Sequence, residues 1–181
     1  FIFLPAAIVG LIKPLTASYF VRNLSEGLVR VIILLAYMKL CTCVSDVKRL
    51  FSYHGAEHKT IFCYEHGKEL TVENVREESR FHPRCGTSFL LVVVVVSILV
   101  NSVVRLDNSF ARMGCHLLLL PIVVGISYEI NRWCGLHDNW LSAALSAPGK
   151  WLQHLTTNEP DDSMIECAIR ALELVIPDEK G

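Results

Sequence analysis

Twenty consecutive residues between Arg84 and Arg105 carry no charge, and most of them read SFLLVVVVVSILVNSVV over residues 88–104. Twenty helical residues rise about 30 Å, the thickness of a bilayer's hydrocarbon core. A second run of 16 uncharged residues separates Arg112 from Glu129, with Cys115, His116 and Tyr128 as its titratable groups. Residues 27–44 are apolar except for Arg30 and Lys39, which lie near the two ends and can extend their heads toward lipid headgroups. Residues 1–12 read as the tail of a fourth apolar segment. With no initiator Met or basic flank before them, the chain is expected to be a fragment or a processed product.

The competing reading is a soluble α/β domain in which Val92–Val96 is a buried parallel strand. Composition weighs against it: 52% of the residues are hydrophobic, 19% are charged, and mean hydropathy is +0.40. Uncharged runs of this length are uncommon in soluble folds. The expected fold is therefore mainly α: an integral membrane helical bundle of three to four spans, near residues 1–12, 27–44, 88–104 and 114–130. A polar His/Cys-containing insertion (45–87) and a C-terminal amphipathic tail (131–181) complete a single membrane domain over 1–181.

Charge and cysteine usage exclude further classes. Seventeen basic against 18 acidic residues give a net charge of −1, which argues against binding nucleic acid by bulk electrostatics. Seven cysteines form an odd, irregularly spaced set, so a disulfide framework is not expected. The insertion holds Lys48, Arg49, Lys59, Lys68, Arg76, Arg80 and Arg84, whereas the loop between the last two spans holds Arg105 and Arg112. The excess of basic residues places the insertion and the C-terminus on the cytoplasmic side of the plasma (inner) membrane.

The insertion concentrates the chemistry. His54, His58, His66 and His82 fall within its 43 residues. His54 and His58 are spaced i, i+4, so a helix presents both imidazoles on one face, as two ligands of one metal require. His82-Pro-Arg-Cys85 adds another imidazole and a thiol, in a turn opened by Pro83 and closed by Gly86. Four nitrogen and sulfur donors are the usual set for zinc. The alternative is that these histidines hydrogen-bond Glu and backbone partners. His54-Gly-Ala-Glu57-His58 also fits H-x-x-E-H, in which the glutamate is the general base of a zinc hydrolase. Glu129 is a further candidate ligand, though pairing with Arg132 across i, i+3 explains it as well.

Elsewhere the spacing predicts helix starts rather than chemistry. Thr71 caps a short helix carrying Glu73, Glu77 and Glu78, and Asp161 or Asp162 caps another with Ile165, Ile169, Leu172 and Ile176 on one stripe. Ala147-Pro148-Gly149 is expected to break the chain. Trp133, Trp140 and Trp151 suit an interfacial anchor.

The run Tyr53-His54-Gly-Ala-Glu57-His58-Lys59-Thr60, then Leu70–Val75, Ser79–Ser88, Ser127-Tyr-Glu129, Ala147-Pro-Gly149 and Leu155–Asp162, resembles the bacterial YqhQ-like family over residues 22–176. The resemblance implies a multi-pass membrane protein, described as a predicted metal-dependent enzyme of unknown function. It carries His54, His58, His82, Cys85 and Glu57 over as the suspected site. Two functions compete: a zinc-dependent hydrolase acting on a lipid or peptide at the cytoplasmic face, and a non-catalytic scaffold or accessory subunit of a membrane-protein insertion or other membrane complex. Membrane lipids and a membrane complex are the expected partners.

Overall fold

The computed structural model describes residues 3–11, 18–106, 108–137 and 139–176. They form eight helices: α1 (Phe3–Gly10), α2 (Tyr19–Cys41), α3 (Ser45–Glu65), α4 (Val72–Glu77), α5 (Gly86–Ser102), α6 (Ser109–Leu136), α7 (Trp140–Thr156) and α8 (Asp162–Glu173). No strand occurs among the described residues, and Val92–Val96 lies inside α5. The β-branched valines keep one preferred rotamer in a helix, a small cost when the alternative is unpaired backbone.

The chain divides into two compact units, Phe1–Met38 with Arg84–Gly149, and Lys39–Pro83 with Lys150–Gly181. In unit 1, α5 packs on α6. Asn23 of α2 donates from Nδ2 to the carbonyls of Asn101 and Val104, 2.9 Å each, just where α5 ends and Val104 N–H closes onto the Asn101 carbonyl. Residues Phe110–Leu136 are long and apolar enough to cross a membrane, and only 17% of their most apolar window is buried. Apolar α5 is shorter at 17 residues. α2, interrupted by Arg22, Glu26, Arg30 and Lys39, does not qualify by itself.

Unit 2 is built by α3, α4 and α8 around Ala56, Cys63, Val75, Ile165 and Ile169. Burying Ile165 alone is worth about 1.5–3 kcal/mol. Burial also pushes the Cys63 thiol above its ordinary pKa. The helix ends have local causes. Gly67 (φ 67°) lets α3 close with Lys68 N–H on the Cys63 carbonyl and Gly67 N–H on that of Tyr64. Thr71 accepts from Asn74 N–H and caps α4, and Asp161 accepts from Met164 N–H and caps α8. The Ser163 hydroxyl and then that amide hold the Asp161 carboxyl below its usual range. The expected break at Ala147-Pro148-Gly149 is absent: α7 runs through Pro148. A proline removes only its own N–H bond, and Ala144, four residues earlier, faces solvent.

Candidate metal centre

Helix α3 carries His54 and His58 one turn apart, and their rings meet edge to face with centroids at 4.3 Å. Each Nδ1–H is committed to a backbone carbonyl: His54 donates to Thr156 at 2.8 Å and His58 to Arg80 at 2.6 Å. A carbonyl can only accept, so these bonds place the proton on Nδ1 and the lone pair on Nε2. Histidines that bind metals are oriented in this way, with the second nitrogen held by a carbonyl or carboxylate.

The two carbonyls are held in place from several directions. After α7, Asn158 N–H donates to the Phe51 carbonyl (2.9 Å), and Asn158 Nδ2 donates to that of Lys48 (3.1 Å). The segment runs so close to α3 that a Cβ on Gly55 would collide with the backbone oxygen of Asn158. Glycine between the two histidines is therefore a packing requirement. Arg80 donates through Nη1 to the Thr157 carbonyl (2.8 Å), while buried Lys59 bonds the Arg76 carbonyl and Glu159, both at 3.0 Å. Gln153, fully buried, accepts from His82 N–H at 2.8 Å and donates to the His82 carbonyl at 2.7 Å.

The four candidate ligands are thus treated differently. His54 and His58 both lie in unit 2, where the two imidazoles stand close enough together to share a metal ion. His82 is buried in unit 2 with its ring 5.8 Å from that of His58, but its Nε2 lies 3.3 Å from Glu65 Oε2. Cys85 falls in unit 1, where it precedes α5, is buried and has Sγ 3.1 Å from the Thr87 hydroxyl. Two residues of chain, Pro83 and Arg84, separate it from His82.

Glu57 lies about 100° around α3 from His58 and is exposed, with no hydrogen bond or ion pair among the described residues. It lines a mainly apolar groove of about 410 Å³ between α3 and α8, with Tyr53, Ile61, Ala168 and Leu172 among the walls. Glu129 pairs with Arg132 at 3.8 Å, the i, i+3 alternative. Glu78, buried, was given no role by sequence. It pairs with Lys68 (2.8 Å) and His66 (3.0 Å), and Lys68 first, then His66, hold its carboxyl below the usual range against the opposing effect of burial.

Residues 1–178 match the family model described as "Protein of unknown function (DUF1385)". Over 172 residues the chain is 38% identical to "Uncharacterized protein YqhQ" of Bacillus subtilis (strain 168), covering 94% of this chain and 54% of that protein. The chain therefore spans about half the length of the curated relative it matches. No solved structure matches it.

Proposed function

The chain belongs to the DUF1385 family, a YqhQ-like family of unknown function, and from that premise we propose that it is an integral protein of the inner membrane with a zinc centre that serves hydrolysis at the cytoplasmic face. The observation that carries this reading is the pair of Nδ1–H bonds to the Thr156 and Arg80 carbonyls. They leave His54 and His58 with Nε2 lone pairs, the form in which imidazole binds a metal. His54 and His58 are the ligands on which this reading rests, and one further donor, which the sequence offers at His82 and Cys85, completes the three-donor set typical of catalytic rather than structural zinc.

Zinc in such a site supplies Lewis acidity and makes a coordinated water easier to deprotonate. The chain's own residues do the rest. The Thr156 and Arg80 carbonyls fix the two rings, and the Glu57 carboxylate accepts a proton from the attacking water. The apolar groove beside Glu57 seats an acyl chain or an apolar peptide side chain. Membrane placement rests on the exposed apolar α6, and the side on the seven basic residues of the insertion. Lipids and a membrane complex are its partners; nucleic acid is not.

Elemental analysis of the full chain in detergent is the test. One zinc per chain is expected, lost in His54→Ala, His58→Ala and Cys85→Ala, and kept in Glu57→Gln, which should lose turnover of a p-nitrophenyl acyl ester. No metal in the parent chain overturns the proposal. The second reading, a non-catalytic scaffold or accessory subunit, is favoured by one observation: buried His82 lies near His58 and is able to close the site as a fourth ligand. Zinc lost in His82→Ala, with turnover unchanged in Glu57→Gln or absent in the parent chain, selects that reading.

A further inference from the structure

Unit 1 contains charged groups that the metal centre does not use. Glu26 and Arg30 are one turn apart on α2, and Arg112 and His116 are one turn apart on α6. Arg112 Nη2 pairs with Glu26 Oε1 at 3.1 Å, with both side chains buried. Arg30 is close enough to this pair to feel the charges of Glu26 and Arg112, and His116 feels those of Arg30 and Arg112. Yet Arg30 Nε and His116 Nε2 are buried without a hydrogen-bond partner among the described residues.

Among the described residues two guanidinium groups share one carboxylate here, so the group carries one positive charge in excess. Burying an uncompensated charge costs several kcal/mol, and buried polar atoms without partners add to that cost. Among the described residues the neighbouring polar groups do not supply the missing anion: Arg22 donates to the Leu106 carbonyl, and Asn23 donates to those of Asn101 and Val104. We infer that Arg30, Arg112 and His116 form a binding site for a singly charged phosphate group.

The chemistry selects that class. Guanidinium forks recognise phosphate through paired charge-assisted bonds. Donors arriving from two helices suit a tetrahedral anion with several acceptor oxygens better than a halide. A phosphodiester or a dihydrogen phosphate ion matches the single excess charge. A lipid headgroup and free phosphate share this chemistry, and the experiment separates them. The site lies within unit 1 and does not depend on zinc.

The full chain, delipidated in an uncharged detergent, is titrated at constant ionic strength with inorganic phosphate or with dihexanoylphosphatidylglycerol, and thermal unfolding is recorded. A saturable rise in Tm is expected from at least one of the two. A response to the lipid alone identifies a headgroup site; a response to inorganic phosphate identifies a site open to the free ion. Arg30→Gln should weaken the apparent affinity by about tenfold or more, and Arg30→Lys should fall between it and the parent. The ligand-free Arg30→Gln chain should also unfold at a higher temperature than the ligand-free parent, because a half-buried charge without a partner among the described residues has been removed; a merely structural arginine gives the opposite sign. No saturable response to either probe, an equal response to chloride, or unchanged affinity in Arg30→Gln overturns the inference.

Discussion

In unit 2, Ala56, Cys63, Val75, Ile165 and Ile169 fill the centre while Glu159 and Asp162 face outward. In unit 1, Glu26 and Arg112 are enclosed while Leu117, Leu118 and Ile122 stand 67%, 80% and 55% exposed. The first arrangement is what water selects. The second leaves large apolar side chains of α6 on the outside and pairs charges on the inside, the pattern expected in an apolar surrounding. One chain therefore holds two halves built on opposite rules, and the same kind of substitution should have different consequences in each.

The largest effect is expected in unit 1. Glu26→Gln leaves Arg112 buried without its partner and should destabilise the chain by about 3–5 kcal/mol, measured by denaturant titration in detergent. Replacing both partners, as in Glu26→Leu with Arg112→Leu, should recover most of that loss; no recovery would mean that the pair does not act as a unit. Next comes Gly55→Ala in unit 2. Its methyl would meet the backbone oxygen of Asn158, for an expected cost of about 2–3 kcal/mol. Hydrogen exchange should rise in α3 and α8 with little change in α5 and α6, and equal loss of protection in both units would erase the distinction between them.

Glu78 gives a smaller, pH-dependent effect. Its folded pKa is depressed, so its stabilisation is fully present above the ordinary unfolded carboxyl value of about 4.3 and is lost as pH falls through the lower folded value. Lys68 and His66 are half-exposed, so solvent screening limits the contribution to about 1 kcal/mol. Glu78→Gln should remove that much stability at pH 7 and flatten the acid limb of the stability curve. The smallest effect is that of Thr71→Ala, whose 3.3 Å capping bond is worth about 0.5 kcal/mol.

Local features were legible in the sequence because their causes are local. The caps at Thr71 and Asp161 follow from spacing over three residues, and α5 and α6 follow from runs without charge. Pro148 misled because a helix interrupted by one missing hydrogen bond can continue. The Glu26–Arg112 pair joins residues far apart in sequence. Its only sequence signal is the presence of charges inside otherwise apolar segments, and for Arg30 extension toward headgroups was a sufficient explanation. At the candidate site, the i, i+4 spacing predicted the facing imidazoles. It could not predict the carbonyls that orient them, since any residue has a carbonyl. Gly55 was the available hint, a residue without a side chain where backbone passes close.

The Thr156 carbonyl that orients His54 lies 102 residues farther along the chain. At synthesis rates of roughly 5–20 residues per second, His54 emerges from the ribosome about 5–20 s before the group that sets its tautomer. During that interval His54 exists without its orienting partner, whereas the Arg80 carbonyl that orients His58 follows it by only 22 residues, so a metal captured then would meet one loosely held ring. Completion of the C-terminal third is thus a timing step as well as a structural one, since it fixes when in the life of the nascent chain the histidine pair reaches its working form.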